Sequence, residues 1–495
     1  MTTSLITTAI PFVNARPHLG FAYELVLADI LARHRRRRTQ DVRFLTGTDD
    51  HSLKNVLAAE REGVTTRELV DRNADAFCAL GAALRIDGDD FIRTSRDPRH
   101  RPAVEWLWRT CAARGDLYRR AWSGRYCVGC EAFVEDDVAI CAEHGVAPEL
   151  VSEDNWFFRL SRYRDAVRDA IESGRLTIVP DAARAETLAF LAGEVRDLSV
   201  SRDARRARGW GIPVPDDPTQ VIYVWFDALV NYVSALGLGG DEALLDRYWR
   251  RGDRVHVIGK GITRFHAVYW PAFLLSAGLP LPDRIFVHGY LTVDGEKISK
   301  SRRNVEVGPV IERCGLDALR WYFARCCRTR SDSDVSIGAI CDAHDRDLVD
   351  RLGNLVQRST TLAAKLTNER VPPRADTADA RQLDAQAAAL PVRVDAALDR
   401  FAPDEAADAI VELLDAANRY LEATAPWRVA RTDRQAAAVL LSAPLRAAGI
   451  AATELAPFVP GVATTISERL GELVPGAELR AGPPPLQRIR TRSEP

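Results

Sequence analysis

T-T-A-I-P-F-V-N-A-R-P-H-L-G-F-A-Y-E-L-V-L-A, residues 7 to 28, passes from a strand through a turn into a helix. The apolar, β-branched run Leu5 to Ile10 predicts a buried strand. Pro11, Asn14 and Pro17 break the chain into a turn. Leu25, Leu27, Ala28 and Leu31, with acids at Glu24 and Asp29, predict a helix from about Pro17 or His18. Where a strand runs into a helix N-terminus, free N–H groups and the helix dipole favour an anion. Gly20 lets a ligand approach the backbone, and His18 adds a donor. Taken alone, a strand–turn–helix with one histidine is ordinary structure.

The surrounding residues extend the pattern. Residues 1 to about 110 alternate strands with helices, which predicts a parallel α/β sheet. A second strand, Val42 to Leu45, ends in Gly47-Thr48-Asp49-Asp50-His51. Acids at the carboxyl end of a parallel strand lie where doubly wound sheets bind ligands, although a turn with a helix cap reads equally well. Val221 to Val224, Val255 to Ile258 and Ile285 to His288 are further predicted strands. Trp225, Tyr232, Phe265 and His266 gather at strand ends, as either aromatic core or an apolar, polarizable pocket. The basic run Arg33 to Arg38 reads as a solvated helix end.

Far along the chain stands Lys297-Ile298-Ser299-Lys300-Ser301. Lysine is scarce here, found at 54, 260, 297, 300 and 365, so two within five residues mark places where a compact, mobile ammonium is wanted. P-H-L-G together with K-I-S-K-S resembles the two nucleotide motifs of the class I aminoacyl-tRNA synthetases, and the wording around them resembles the methionyl-tRNA synthetase family. The resemblance covers nearly the whole chain. It implies a Rossmann-like parallel-sheet catalytic domain with a zinc-knuckle insertion, followed by an α-helical bundle that binds the anticodon. The implied borders are 1–110 and 156–309 for the two catalytic halves, 111–155 for the insertion, 310–342 for a linker, 343–475 for the bundle and 476–495 for a disordered tail.

Cys127-x-x-Cys130 and Cys141-x-x-His144 are two tight ligand pairs that can close a tetrahedron around a structural Zn²⁺. The other six cysteines read as small core residues. The resemblance implies ATP and Mg²⁺ as well. It gives His18, Lys297, Lys300 and Arg202 a place in catalysis, and Gly20, Phe21, Ser299 and Ser301 a place around the nucleotide. Asp49 would hold the amino group of methionine. Ile10, Phe12, Trp225, Ala228, Tyr232, Phe265 and His266 would wall its side chain, since a thioether packs well against aromatic rings. Family members carry Leu, Tyr and often Pro where this chain has Ile10, Phe12 and Leu229.

Leu348, Leu352, Leu355, Ser359 and Leu362 recur at helical spacing, as do Ala406, Ile410, Leu413, Ala417 and Leu421. Asn354 and Arg358 share a helix face, and Pro426-Trp427 presents an aromatic at a helix end. By resemblance these four read the anticodon of tRNA(Met), by base-edge contacts and stacking.

Composition sets the remaining expectations. The 495 residues carry a net charge of −2, so any nucleic-acid contact must use local basic patches. No apolar run suggests a bilayer span, and no membrane contact is expected. Nine cysteines and no secretion signal at the first residues predict a reducing, cytoplasmic setting. A monomer is expected.

One departure matters. The family motif is H-L-G-H, and the second histidine is here Phe21. A preorganised donor to a transition-state anion contributes roughly 10²–10³ in rate, which a phenyl ring cannot supply. Two readings therefore stand: a methionine–tRNA ligase, or a diverged paralogue that binds methionine, an analogue or tRNA in another role.

Overall fold

The computed structural model describes residues 3–38, 40–127, 132–134, 137–141, 145–293, 295–297 and 305–489, and of 132, 133, 296 and 297 the backbone. The chain forms two compact units, one of residues 1–288 with 299–305 and one of residues 289–298 with 306–495.

The first unit is built on a six-stranded sheet in the order Asp90–Arg93, Asp41–Thr48, Thr3–Thr8, Asp253–Gly259, Arg284–His288, Thr177–Val179. Every neighbouring pair is parallel. The chain moves outward from Thr3–Thr8 on one side, then returns to Asp253–Gly259 on the other. The topological switch point therefore lies between those two strands, and ligands bind outside carboxyl ends at such a point. Strands flanked on both sides are covered by helices on both faces, so their residues run apolar without alternation. Leu5, Ile6, Val255, Val257 and Ile258 are all fully buried.

The first strand ends at Thr8, two residues before the expected Ile10, because the Ala9 N–H leaves the ladder for the Glu24 carboxylate at 2.9 Å. The first helix spans Leu19–Arg37. Its basic end is less solvated than expected. Arg35 is buried and ion-paired to Asp253 at 2.7 Å, and Arg36 reaches Asp87 and Asp89 at 2.9 and 2.6 Å.

Between the sheet halves lies an antiparallel insertion. Leu117–Cys127 pairs with Glu149–Phe158 along its length, flanked by Ala132–Phe133 and Leu198–Ser199. A small antiparallel sheet of Pro213–Val214, Asp217–Ile222 and Ser201–Asp203 follows. The predicted strand Val221–Val224 thus ends at Ile222, and Val224 opens the short helix Val224–Leu229.

The second unit opens with a small sheet of Glu296–Lys297, Leu291–Val293 and Ser333–Asp334. Helices follow, among them Asn354–Thr367, Ala378–Asp399, Pro403–Thr424, Ser442–Leu455 and Pro460–Leu470. Their contact faces are rich in alanine: Ala406, Ala409, Ala417, Ala447, Ala448, Ala451 and Ala452 are buried, which lets helices approach closely. Arg434–Leu455 corrects the expectation that nothing apolar reaches bilayer length. Within this 22-residue stretch an 18-residue window has a mean hydropathy of 1.5, but 61% of that window is buried inside the protein.

Two further expectations are corrected. Cys78 is exposed, since it lies on the outer face of the helix Thr66–Ala83. The stretch from 476, expected to be disordered, is ordered over its described residues, 476–489. Leu479 is fully buried, and the N–H groups of Val371 and Leu479 donate to the carbonyls of Ala477 and Glu369 at 2.8 and 2.9 Å. Its Pro and Arg content hid the few apolar residues that dock.

Gly47 lies in register with Ile92, and a Cβ there would stand 2.1 Å from the Ile92 carbonyl oxygen. Gly47→Ala is expected to lose about 3 kcal/mol, at the upper end of overpacking costs, as a lower urea midpoint.

Candidate active site

Trp225 lies on the helix Val224–Leu229, just past the end of a strand. Its indole stacks on Phe265, with ring centroids 3.8 Å apart and planes 11° apart. Phe12 meets the indole edge-on at 6.1 Å, and His266 does so at 6.4 Å. Phe265 and His266 sit on a π-helical stretch, Phe265–Tyr269, a local widening that proteins often place at functional sites. Ile10 packs on the same core, and Ala228 is buried.

The polar handles of this pocket are neutral. His266 Nδ1 donates to the Ile262 carbonyl at 3.0 Å, which leaves Nε2 to accept from the Tyr232 hydroxyl at 2.8 Å. Burial holds His266 down at about 4 and pushes the Tyr232 phenol up. Behind them His256, whose pKa burial lowers well below 6.5, bonds Thr7 Oγ1 at 2.7 Å and lies 4.2 Å from the Tyr232 ring.

The adjoining side is charged. The Asp49 N–H donates to the Pro11 carbonyl at 3.0 Å, and Asp49 bridges Phe12 in parallel register. The neighbouring Asp50 turns away. Its carboxylate accepts from Thr48 Oγ1 at 2.9 Å and from Ser95 Oγ at 2.7 Å, while the Trp210 indole donates to its carbonyl at 2.7 Å. His51 Nδ1 donates to Asp227 Oδ2 at 2.7 Å, and His100 Nε2 donates to Asp227 Oδ1 at 2.6 Å. Burial alone would raise the Asp227 carboxyl, but the facing imidazoles hold it well below the usual carboxylate range. Burial works against charge on His51, yet Asp227 outweighs it and raises His51 above 6.5.

At the first helix, His18 is the N-cap and accepts from the Gly20 N–H at 3.1 Å. A Cβ at position 20 would meet that imidazole at 3.0 Å, so glycine and cap fit as a pair. The Leu19 N–H donates to Val305, at 3.0 Å. Glu24 is buried where the sheet switches direction. Oε1 accepts from the Ala9 N–H at 2.9 Å and Oε2 from His288 Nε2 at 3.1 Å. Phe21 is 8% exposed, and its ring meets Phe77 edge-on at 5.2 Å.

Comparison with known proteins agrees with this geometry. The family model of class I tRNA synthetases (M) matches residues 4–143 and 138–360, and that of the anticodon binding domain of methionyl tRNA ligase matches residues 371–475. The chain belongs to the class I methionyl-tRNA synthetases. The methionine–tRNA ligase of Brucella suis biovar 1 is 42% identical over 469 residues, covering 92% of this chain and 89% of that one. That of Mycobacterium tuberculosis is 40% identical over 482 residues, covering 94% and 92%. The solved M. tuberculosis methionyl-tRNA synthetase in complex with methionyl-adenylate gives a TM-score of 0.93 at 38% identity, covering 98% of this chain and 99% of that one.

Within this synthetase, the expected pocket residues Phe12, Trp225, Tyr232, Phe265 and His266 come together. The Arg202 guanidinium carbon lies over the Tyr223 and Tyr126 rings, at 4.2 and 5.3 Å, and its Nη1 donates to Ser199 and Ser201. Cys127 and Cys141 are buried, and the Cys141 carbonyl accepts from the Gly145 N–H at 2.7 Å. Cys130, His144, Ser299, Lys300 and Ser301 lie outside the described residues, and of Lys297 only the backbone is described. In the second unit, Arg358 lies 4.9 Å over the Trp427 ring and pairs with Glu422 at 2.7 Å. Asn354 is exposed one turn earlier, and Pro426 is buried. Asp227, His100 and Glu24 escaped the sequence reading. The signal available was an acid at an apolar helix position, as in W-F-D-A and A-Y-E-L.

The Phe77 contact sets what a histidine at position 21 would meet. Phe21→His is expected to lose about 1–3 kcal/mol as a lower melting temperature, because the imidazole would lie against a phenyl ring.

Proposed function

We propose that this chain is a methionine–tRNA ligase. The methionine carboxylate attacks the ATP α-phosphate, giving methionyl-adenylate and pyrophosphate, and the methionyl group then passes to the 3′ end of tRNA(Met) with release of AMP. One observation carries the reading: a neutral, polarizable aromatic pocket beside a buried carboxylate, at the switch point of a parallel sheet. Stacked Trp225 and Phe265 suit a thioether, and the neutral Tyr232–His266 pair adds no charge that would favour a polar side chain. Asp49 takes the ammonium group.

Chemistry at phosphorus here needs position and charge stabilisation rather than a side-chain nucleophile. His18, Gly20 and the helix N-terminus hold phosphates, and Mg²⁺ accompanies the ATP. Lys297 and Lys300, with Ser299 and Ser301 beside them, offset charge on the departing pyrophosphate, and Arg202 supports the activation step. The missing second histidine at Phe21 lowers the rate without abolishing it.

A structural Zn²⁺ would be held by Cys127, Cys130, Cys141 and His144. The two described members, Cys127 at a strand end and Cys141, fit such a role as buried sulfur donors. The metal would tie the tip of the insertion, 111–155, and takes no part in the chemistry. The catalytic halves are then 1–110 and 156–309, with 310–342 leading to the helical bundle from 343 to 475. In that bundle Asn354, Arg358, Pro426 and Trp427 read the anticodon. The working form is a cytoplasmic monomer.

Methionine-dependent ATP–pyrophosphate exchange tests the activity directly. Measurable exchange with methionine supports a ligase, and its absence in the unaltered protein leaves the diverged-paralogue reading. Trp427→Ala is expected to weaken tRNA charging by the roughly 1–3 kcal/mol of one stacked base, with exchange nearly intact. Elemental analysis is expected to find one zinc per chain, lost in Cys127→Ser.

A further inference from the structure

Asp227 is fully buried, and both of its carboxylate oxygens are engaged by imidazoles from distant parts of the chain. It stands two residues after Trp225 on the short helix Val224–Leu229. On one side, His51 leaves the end of the strand Asp41–Thr48, and its backbone N–H donates to Asp49 Oδ1 at 3.2 Å. On the other, His100 opens the helix His100–Ala113, and its Nδ1 lies 2.9 Å from Ser234 Oγ. Asp49 in turn is bonded to Pro11 and bridged to Phe12, which touches Trp225. A ring of contacts thus runs from Trp225 through Asp227, His51, Asp49 and Phe12 back to Trp225.

Without that ring, two elements far apart in sequence would have to find their spacing through apolar contact alone, which is tolerant of sliding. A charge-assisted bond between buried partners is directional and shorter than a neutral one. Resting on the ligase reading above, we infer that Asp227 and His51 are positioning residues that set the distance between the ammonium anchor, Asp49, and the aromatic wall, Trp225, and so the length of amino acid accepted. Neither need touch the substrate. His100 belongs to the core-facing half of the clamp and supports Asp227 without acting on Asp49.

Because Asp227→Asn leaves two imidazoles facing an amide in the core, single-bond variants are the better probe. The full-length enzyme is assayed by pyrophosphate exchange, with melting temperature measured on the same preparations. His51→Ala is expected to raise the methionine KM on the order of 10- to 100-fold, as expected of misplacement by about 1 Å, with the ATP KM changed less than about twofold. His51→Asn, which restores an N–H donor toward Asp227, is expected to recover most of that loss. His100→Ala is expected to lower the melting temperature more than it raises the methionine KM.

A lower melting temperature in His51→Ala with an unchanged methionine KM overturns the proposal, because the clamp is then core support. Methionine and ATP KM values rising together overturn it too. Failure of the unaltered enzyme to exchange with methionine is a different result: it removes the ligase reading, and the tie with it.

Discussion

The carboxylate of Glu24 is the constraint on which the first unit depends. It sits buried at the point where the sheet changes direction, and both of its oxygens have partners, one just past the end of the first strand and one on a strand beyond the site. A charge so placed is tolerated only while its hydrogen bonds hold. By drawing the Ala9 N–H out of the ladder, Glu24 ends the first strand and frees the next residues to line the pocket. By holding His288, it fixes the last strand before the chain leaves this unit.

Around that anchor the chemistry is sorted by charge. On one side stand Trp225, Phe265, Tyr232, His266 and His256, whose buried histidines are kept neutral. On the other stand Asp49 and the His51–Asp227 pair, in which each partner favours the charged form of the other. A zwitterion with an apolar side chain matches such a division, ammonium to one side and thioether to the other. Specificity of this kind comes from what each side leaves unpaired when a wrong amino acid enters.

The α/β character was legible in the residues, because period and turn chemistry are local signals, whereas the grouping of Phe12, Trp225, Tyr232, Phe265 and His266 was suggested by the family resemblance. Strand ends were less so. The first strand stops at Thr8 because of Glu24, sixteen residues on, and no local pattern announces such a bond. Phe21 illustrates the same limit: its identity is plain in the sequence, but its partner Phe77 lies on another helix. Cys78 was misread because a cysteine has no polar signal to mark the outer face of an amphipathic helix. The residues from 476 onward were misread from composition, which counts prolines and arginines and cannot weigh one buried leucine.

That last stretch changes how the helical body should be bounded. The family model of the anticodon domain ends at residue 475. Beyond it, Leu479 is enclosed, and Leu486 lies over Gly353, where a Cβ would approach its side chain at 3.3 Å. Gly353 directly precedes Asn354, so residues 479–486 act as a buttress behind the helix that carries this proposed anticodon contact. A recombinant fragment trimmed to the family boundary would expose that backing to water. The fragment worth making for isolated tRNA-binding work runs past Ile489.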